Sequence, residues 1–385
     1  MTPAARVAAA IEVLDRWRAG TPAEKALTTW ARGARYAGSK DRAAIRDHVY
    51  DVLRRLGACE ANGSTDGRGL MLGLMRVQGQ NPEAVFSGEG HAPSPLSPDE
   101  QVPPAAVASD PWLDVPDWLH DPLRESLGDA ADDVVASLQG RAPLYLRVNL
   151  RKAAVGEVQD HLASDGIITE TCGLSGALMV VEGDRRLRLS ATYLGGLVEI
   201  QDLSVQMACA AVVWPQSGRV LDFCAGGGGK ALAIAAVSDA QIYVHDAVPA
   251  RMSDIPARAD RAGVVLTTAT RADDHAPYDL VLCDVPCSGS GTWRRDPEAK
   301  WRLTPDRLAE LGRIQRQIVE QAQRLVRPGG RLVYMTCSLL RSENEAVVEA
   351  AQSAPGWAVL QSHRFQPPAA SDGFFLAELQ RDGVG

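Results

Sequence analysis

The last part of the sequence alternates short apolar runs with helical stretches, and this alternation restricts the folds open to the chain. Four such runs follow one another from Arg219 onward, namely RVLDF, IYVHD, DLVLCD and RLVYMT. Because successive positions are apolar, both faces of each strand are expected to be buried, as in a parallel sheet covered by helices on both sides. We therefore predict a doubly wound α/β domain, in which residues 357–363 and 374–381 supply the closing edge strands.

The patterns differ in the regions that precede this domain. Residues 1–87 carry apolar positions at helical spacing and predict an all-helical domain, with a buried segment at 67–75. Residues 88–111 contain six prolines, which predict a linker because proline interrupts helices and central strands. Residues 112–198 are expected to form a small α+β module with the order strand, helix, strand, strand. The α/β domain then occupies residues 199–385.

The composition of the chain limits the binding partners and the cellular compartment that we expect for the protein. The 385 residues include 40 basic and 48 acidic ones, for a formal charge of −8, which disfavours a protein that coats nucleic acid by charge alone. Residues 1–56 nevertheless hold eleven Lys or Arg against six Asp or Glu, so an RNA-facing surface and ordinary solvated helix faces both stay open there. The seven cysteines form no CxxC pair, and no apolar run is long enough to cross a bilayer or to act as a secretory signal. We expect a cytoplasmic, monomeric protein with no bound metal and no membrane contact.

A glycine-rich turn follows the first of the apolar runs. In LDFCAGGGGK (221–230), four glycines let the backbone approach a ligand closely. Ala231 stands where a Walker A loop needs Ser or Thr to bind magnesium. Asp246 follows the next strand, at a place where a carboxylate is suited to accept hydrogen bonds from ribose hydroxyls. An adenosine-containing cofactor is indicated, and the lack of phosphate-specific features favours S-adenosyl-L-methionine over a dinucleotide.

Two later strands each run into a turn that carries a cysteine. The motifs DVPCSGSG (284–291) and TCSLLRSENE (336–345) bring Cys287 and Cys337 to the carboxyl edge of the predicted sheet. A thiolate is the strongest side-chain nucleophile near neutral pH. Methylation of cytosine at C5 needs a nucleophile that adds to C6, an acidic group at the N3/N4 edge, and a second group that assists release. Asp284, Cys287 and Cys337 supply this set.

Longer segments around these motifs resemble a known family. DVPCSGSGTWRRDPEAKWRLTP (284–305) and MTCSLLRSENEAVVEA (335–350) resemble the paired signature segments of the RsmB/NSUN-type RNA cytosine-C5 methyltransferases, in the bacterial ribosomal RNA branch. The resemblance extends to LRVN (146–149), to EIQDLSVQMA (199–208) and to part of the helical N-terminal region. It implies a class I Rossmann-like S-adenosylmethionine methyltransferase domain that forms 5-methylcytosine in small-subunit (16S) ribosomal RNA.

Three alternatives to that activity stay open at this point. The substrate could be a tRNA. The chain could also be a non-catalytic RNA-binding assembly factor with a vestigial methyltransferase fold, or a redox switch through a disulfide between Cys287 and Cys337.

The resemblance also implies roles for individual residues. Cys337 would be the attacking thiolate, Cys287 would help to break the covalent RNA adduct, and Asp284 would contact the cytosine. Lys230 would lie close to the reacting centre. The residues expected to bind the cofactor are Cys224, Ala225, Gly226, Gly227, Gly228, Gly229, Lys230, Asp246, Arg251, Asp273 and Asp284. RNA contacts are expected at Arg147, Asn149, Gln201, Asp202, Arg294, Arg295 and Lys300.

The chain departs from the family pattern in two places. The glycine turn has Gly226 and Gly227 where the family has Ala-Pro, a change that removes the proline but adds no bulk. The Gly-Asp that the family places ahead of the fourth strand to engage the adenine is absent. Thr270, Asp273 and Asp274 are the candidates for that role, and Asp273 is preferred.

A basic segment follows the first cysteine motif. Residues 294–316 hold seven basic and four acidic residues, and Trp293 and Trp301 lie among them. This mixture is typical of proteins that contact RNA phosphates and stack on bases. The alternative is that the tryptophans belong to the core and the arginines are simply solvated.

Overall fold

The protein divides into two compact units. A computed structural model describes residues 1–102, 104–368 and 371–383. Unit 1 comprises Met1–Arg141 together with Trp293–Leu303, and unit 2 comprises Ala142–Thr292 together with Thr304–Gly385. In the described ranges, no helix is long and apolar enough to cross a membrane.

Unit 1 is built from helices, as the spacing of apolar residues predicts. Many apolar residues of its first 96 positions collect in a core in which Val13, Ile45 and Leu70 are fully buried. The helices before residue 142 are α1 (Pro3–Arg18), α2 (Ala23–Gly33), α3 (Ser39–Arg54), α4 (Leu56–Ala61), α5 (Gly67–Val77), α6 (Pro98–Gln101), α7 (His120–Leu127) and α8 (Ala131–Ser137).

Helix α5 confirms the buried segment predicted at residues 67–75, because every residue from Leu70 to Met75 is buried. Its close packing against α4 depends on glycine. A Cβ at Gly73 would lie 1.9 Å from the carbonyl oxygen of Cys59, far inside van der Waals contact. The two helix backbones therefore touch at a position that no other residue type fits.

The proline-rich segment 88–111 packs on unit 1 over part of its length. The guanidinium of Arg68, on α5, donates to the Glu100 carboxylate at 2.7 and 2.9 Å and to the carbonyl oxygen of Ser94 at 3.0 Å. Leu96 is buried in the helical core. This segment was expected to act as a linker, but these contacts fix part of it to the helices. They form because Arg68 supplies donors to carbonyl groups that a proline-rich chain leaves unpaired.

Unit 2 begins with a small α+β module. Its elements are β1 (Leu144–Val148), α9 (Val155–Ser164), β2 (Ile168–Thr171), β3 (Ala177–Glu182), α10 (Ala191–Leu194) and β4 (Val198–Ile200). The sheet order is β2-β3-β1-β4, and all of the pairs are antiparallel. The predicted order of strand, helix, strand, strand is present, but β4 was not predicted. A run of three residues is too short to recognise from pattern, and it becomes a strand by pairing with β1.

The second part of unit 2 is the predicted α/β domain. Its elements are α11 (Leu203–Ala211), β5 (Arg219–Asp222), α12 (Gly229–Ala235), β6 (Gln241–Val244), α13 (Ile255–Ala262), β7 (Thr267–Thr268), β8 (Tyr278–Asp284), α15 (Pro305–Leu325), β9 (Val326–Thr336), α16 (Glu345–Gln352), β10 (Trp357–Phe365) and β11 (Phe374–Arg381), while α14 (Pro297–Arg302) belongs to unit 1. The sheet has seven strands in the order β10-β11-β9-β8-β5-β6-β7.

The strand directions position the site. Strands β7, β6, β5, β8 and β9 are parallel, and β11 runs antiparallel to β9. Neighbouring residues of one strand enter different cores, as Val220 and Leu221 do, so both faces of the sheet are covered. The two late apolar runs were expected to form edge strands, and β10 is an edge strand of the sheet. Strand β11 lies between β9 and β10, because it is buried from Phe374 to Leu379 and needs a neighbour on each side.

Candidate active site

The glycine turn joins the end of β5 to the start of α12. Gly226 and Gly228 have φ values of +49° and +77°, a region that side chains with a Cβ disfavour. The turn is closed by a hydrogen bond from the amide of Gly228 to the carbonyl of Ala225, at 2.8 Å. Apart from the two neighbours of Gly226 in the chain, no heavy atom of the described residues lies within 4 Å of the place where its Cβ would stand. The backbone of the turn thus borders open space, although the proline of the family pattern is missing.

Asp246 ties this turn to the loop that follows β6. Its carboxylate accepts hydrogen bonds from the amide of Gly226 at 3.0 Å and from the amide of Val248 at 2.8 Å. The side chain is buried. Since a carboxylate oxygen can accept more than one hydrogen bond, Asp246 keeps acceptor capacity beside the glycine turn.

Asp222, the last residue of β5, was not recognised from the sequence. It is 1% exposed, and within the described residues neither carboxylate oxygen has a hydrogen-bond partner. Burial, and then the negative charge of Asp284, raise its pKa to about 7. An aspartate inside a strand's apolar run looks like an ordinary strand end, so only the packing around it shows that the carboxylate is buried, with the charge of Lys230 offsetting it in part.

Lys230 and Asp284 form an ion pair between α12 and the end of β8. The Lys230 Nζ lies 2.6 Å from the Asp284 Oδ2. Burial disfavours the charge of Lys230, but the Asp284 carboxylate outweighs it and holds the pKa of the ammonium above its ordinary value. The predicted proximity of these two residues is present in the structure.

Cys287 and Cys337 meet across the two turns that follow β8 and β9. Their Sγ atoms are 3.4 Å apart. With the Cys287 S–H donating, this contact lowers the pKa of the Cys337 thiol and raises that of Cys287. The arrangement therefore favours Cys337 as the thiolate and Cys287 as its proton-bearing neighbour.

A buried carboxylate links the two cysteine turns. Glu343 is 0% exposed, and it accepts hydrogen bonds from both Ser288 and Ser338. Each of these serines directly follows one of the two cysteines. No role for Glu343 was predicted from the sequence, because only the fold brings the two turns together.

The acidic residues near the glycine turn suit a cationic adenosine cofactor. The charges of Asp284 and Asp246 both raise the pKa of Asp222, which shows that the three carboxylates share one region. A dinucleotide would bring phosphates into this negative field, whereas S-adenosylmethionine carries a sulfonium and an ammonium group. The open backbone of the turn and the acceptors of Asp246 fit that cofactor.

The candidates for contacts with the adenine lie on the surface after β7. Asp273 is exposed, and both of its carboxylate oxygens accept hydrogen bonds from the guanidinium of Arg271, at 3.0 and 2.7 Å. Asp274 accepts from the amide of Arg271 at 2.8 Å. Thr270 is exposed, as is Arg251 in the loop after β6. Asp273 as the residue that contacts the adenine stays a prediction. In the structure its carboxylate is paired with Arg271.

The LRVN and EIQD motifs lie in unit 2, and their polar side chains contact the protein itself. Gln201 accepts from the Arg147 Nε at 2.8 Å and donates to the Gly229 carbonyl at 3.2 Å, so it connects β1 with the glycine turn. Asn149 is buried and donates to the carbonyls of Gly196 and Ala262. Its amide thus connects the small module to α13, which argues against the predicted RNA contact.

Asp202 caps the first turn of α11. Its carboxylate accepts from the amide of Ser204 at 2.9 Å, as expected of an aspartate at an N-cap. This contact gives Asp202 a structural task in addition to the predicted contact with RNA.

The predicted RNA contacts after residue 292 belong to unit 1. Lys300 is 1% exposed, and its Nζ donates to the carbonyl of Arg54 at 3.3 Å. Burial lowers its pKa to about 8, so this side chain is placed as a core residue and not as a phosphate contact. Arg294 is buried as well, whereas Arg295 is exposed. Trp293 is buried, which removes its ring from base stacking and favours the core interpretation.

Comparison with known proteins bears on the class and the family. The sheet order and the glycine turn beside three carboxylates define a class I S-adenosyl-L-methionine-dependent methyltransferase. Residues 212–380 match the family described as 16S rRNA methyltransferase RsmB/F, and residues 115–184 match the RsmF/B-like ferredoxin-like domain. The chain belongs to this RsmB/F family of RNA methyltransferases.

Individual relatives agree with this assignment. The ribosomal RNA small subunit methyltransferases B of Xanthomonas campestris pv. campestris and Xylella fastidiosa strain Temecula1 are 32% and 31% identical. The matches cover 71% and 69% of this chain and 68% and 67% of the relatives. The structure of a methyltransferase homolog protein from Pyrococcus horikoshii superposes with a TM-score of 0.62 at 23% identity, over 74% of this chain and 100% of that one. At that identity the likeness shows the fold.

Proposed function

We propose that the protein forms 5-methylcytosine in small-subunit ribosomal RNA through a covalent adduct with Cys337. The observation that carries the proposal is the cysteine pair, whose Sγ atoms lie 3.4 Å apart, with a contact that lowers the pKa of the Cys337 thiol. The names of the curated relatives support ribosomal RNA as the substrate class. The cytoplasmic location and the monomeric state stay predictions.

The chemistry assigns a task to each residue of the pair. The Cys337 thiolate forms a bond to C6 of the cytosine, which places electron density on C5. S-adenosyl-L-methionine, when bound, supplies the methyl group that C5 takes. Loss of the C5 proton and elimination of the Cys337 sulfur from C6 then restore the aromatic base, and Cys287 assists this release.

Lys230 and Asp284 are assigned to the target base. The Asp284 carboxylate would face the N3/N4 edge of the cytosine, where it can accept a hydrogen bond from the N4 amino group. Its ion pair with Lys230, at 2.6 Å, supports this role because the positive charge of the half-buried lysine offsets the carboxylate and fixes its direction.

The RNA would also contact a cleft on unit 1 that we call the arginine cleft. Its volume is about 400 Å³, and it lies between α2 and α3 with Arg32, Arg35, Arg42 and Arg46 in its lining. All four side chains are exposed, and within the described residues Arg32 and Arg35 form no ion pair. Arg46 pairs with Glu24, another residue of the lining, at 3.6 Å, so Arg32 and Arg35 are the guanidiniums of this concave surface best suited to the phosphates of an RNA backbone.

Bisulfite sequencing of total RNA, with and without the gene, tests the proposed function. We expect one or a few protected cytosines in small-subunit ribosomal RNA that vanish without the gene. A gene for Cys337→Ala should fail to restore them, because no other residue replaces the attacking sulfur. If the gene-dependent protected cytosines lie only in tRNA, the substrate is tRNA and not ribosomal RNA. Full restoration by Cys337→Ala would refute the adduct.

The two cysteines should fail in different ways in vitro. Cys287→Ala should accumulate a covalent protein–RNA adduct that resists denaturing electrophoresis, because attack by Cys337 still occurs while release is slow. Cys337→Ala should form no adduct, and the double variant should behave like Cys337→Ala. An adduct in the double variant would show that another residue attacks the base.

A further inference from the structure

Glu343 contacts both cysteine turns from a position that solvent does not reach. It lies in the short turn after β9, six residues beyond Cys337, and its side chain is 0% exposed. Its Oε1 accepts hydrogen bonds from the backbone amide of Ser288 at 2.8 Å and from the Nε2 of Gln315 at 2.9 Å. Its Oε2 accepts from the hydroxyls of Ser288 and Ser338, at 2.5 and 2.6 Å.

The four donors come from three separate parts of unit 2. Ser288 follows Cys287 directly in the turn after β8, and Ser338 follows Cys337 directly in the turn after β9. Gln315 belongs to α15, and its Nε2 also donates to the carbonyl of Pro286 at 3.0 Å, one residue before Cys287. The carboxylate therefore holds the residue after each cysteine directly, and Gln315 connects it to the residue before Cys287.

Glu343 is itself held in place by its own backbone. Its carbonyl oxygen accepts from the Tyr334 hydroxyl, on β9, at 2.6 Å. The next residue, Asn344, accepts a hydrogen bond from the Thr336 hydroxyl and donates one to the carbonyl of Ser338. These bonds fix the acceptor relative to the strand that carries Cys337.

We infer that Glu343 is the positioning residue that sets the distance between the Cys287 and Cys337 sulfurs. A buried carboxylate with four donors forms strong, directional hydrogen bonds, and it is costly to leave any of those donors unpaired. The cysteines meet only through non-covalent contact at 3.4 Å, so their separation depends on the turns that carry them. Because Glu343 is 0% exposed, it acts through Ser288 and Ser338.

This inference rests on the proposed function, because the cysteine pair matters only if both sulfurs take part in the reaction. The geometric part can be tested without RNA. Diamide removes one hydrogen from each of two neighbouring thiols and forms a disulfide, while it is itself reduced to the hydrazine. The rate at which the full-length protein forms the Cys287–Cys337 disulfide, followed by mass spectrometry of tryptic peptides, reports how often the two sulfurs are adjacent.

Glu343→Gln and Glu343→Asp are the informative variants, with Glu349→Gln as the matched control. Glu349 is an exposed acid on α16 that pairs with Arg341. We expect Glu343→Gln to form the disulfide about 10- to 100-fold more slowly and to lower kcat for methyl transfer by a similar factor, with the KM for RNA unchanged. Glu343→Asp should recover part of both losses, and Glu349→Gln should match the wild type in both.

Ser338→Ala provides a second test of the inference if the Glu343 variants fail to fold. It removes one donor from the carboxylate and should slow disulfide formation in the same direction. Wild-type disulfide formation and wild-type kcat in a folded Glu343→Gln protein would overturn the inference. Slow disulfide formation in Glu343→Gln, together with a wild-type protein that methylates no RNA, would uphold the positioning role and refute the proposed function.

Discussion

Asp222 is unfavourable for the stability of the fold, but its charge suits the site around it. It ends the central strand β5 with a carboxylate that is buried and has no hydrogen-bond partner among the described residues. A buried, unpaired charge is unfavourable for folding. It also adds to the negative field beside the glycine turn, which suits a cationic cofactor.

Asp222→Asn should stabilise the cofactor-free protein at high pH. The pKa of Asp222 rises from 3.8 to about 7 on folding, so between these values the folded state binds more protons than the unfolded state. Stability is lost as the pH rises through this window. A shift of one pKa unit corresponds to about 1.4 kcal/mol. The free energy of unfolding of the variant should therefore exceed that of the wild type by as much as about 4 kcal/mol at pH 8, and by little at pH 4.

Urea denaturation of both proteins across that range measures the effect. A gain of equal size at pH 4 and pH 8 would contradict the assigned ionisation. S-adenosylmethionine should bind the variant more weakly in calorimetry, because one negative charge near the cationic cofactor is lost.

Among the secondary-structure elements, α4 and α5 form a contact that is highly sensitive to side-chain size. The helices approach until a Cβ at Gly73 would overlap the Cys59 carbonyl. Gly33, at the end of α2, has no heavy atom within 4 Å of its Cβ position and does not have a positive φ. The two helical glycines thus differ in their surroundings.

Gly73→Ala should destabilise unit 1, and Gly33→Ala should not. Overpacking of a close contact costs about 1–3 kcal/mol. Replacement of an unconstrained helical glycine by alanine gains about 0.4–1 kcal/mol. Thermal unfolding of the full chain, followed by circular dichroism, should show a lower Tm for the first variant and an equal or higher one for the second. Equal Tm values for both would mean that α4 and α5 can separate without cost.

For the molecule as a whole, the charge of −8 is unevenly distributed. Unit 1 carries the arginine cleft, whereas the region around the glycine turn in unit 2 is acidic. An acidic total is therefore compatible with an RNA substrate, because local charge and not net charge determines where phosphates bind. Binding through such a surface is expected to weaken as salt rises.

Arg32→Ala/Arg35→Ala should weaken RNA binding and reduce its salt dependence. Each lost phosphate contact lowers the slope of log K against log salt by about 1, so the double variant should lose about 2. Arg324→Ala/Arg327→Ala removes the same charge from side chains that pair with Glu320 and Asp279, and serves as the control. Fluorescence anisotropy with a ribosomal RNA fragment measures both slopes. Equal slopes for the two double variants would exclude the arginine cleft as a phosphate site.

The elements with strong patterns were predictable from the sequence. The apolar runs after residue 219 predict strands buried on both faces, and β5, β6, β8 and β9 are such strands. Strand β4 and the place of β11 inside the sheet were not predictable. The first is too short to carry a pattern, and the second depends on which strand pairs with β9.

The sequence by itself determined the chemistry that the protein brings to its reaction: two cysteines after two strands, a glycine turn, and the carboxylates Asp246 and Asp284. These are local properties, because a strand end and the turn after it are encoded together. The tertiary structure alone decided which side chains are accessible and which are paired. Lys300 and Trp293 look like RNA contacts in the sequence but are buried. Glu343 and Asp222 gain their importance from residues far away in the chain, and such contacts exist only once the chain has folded.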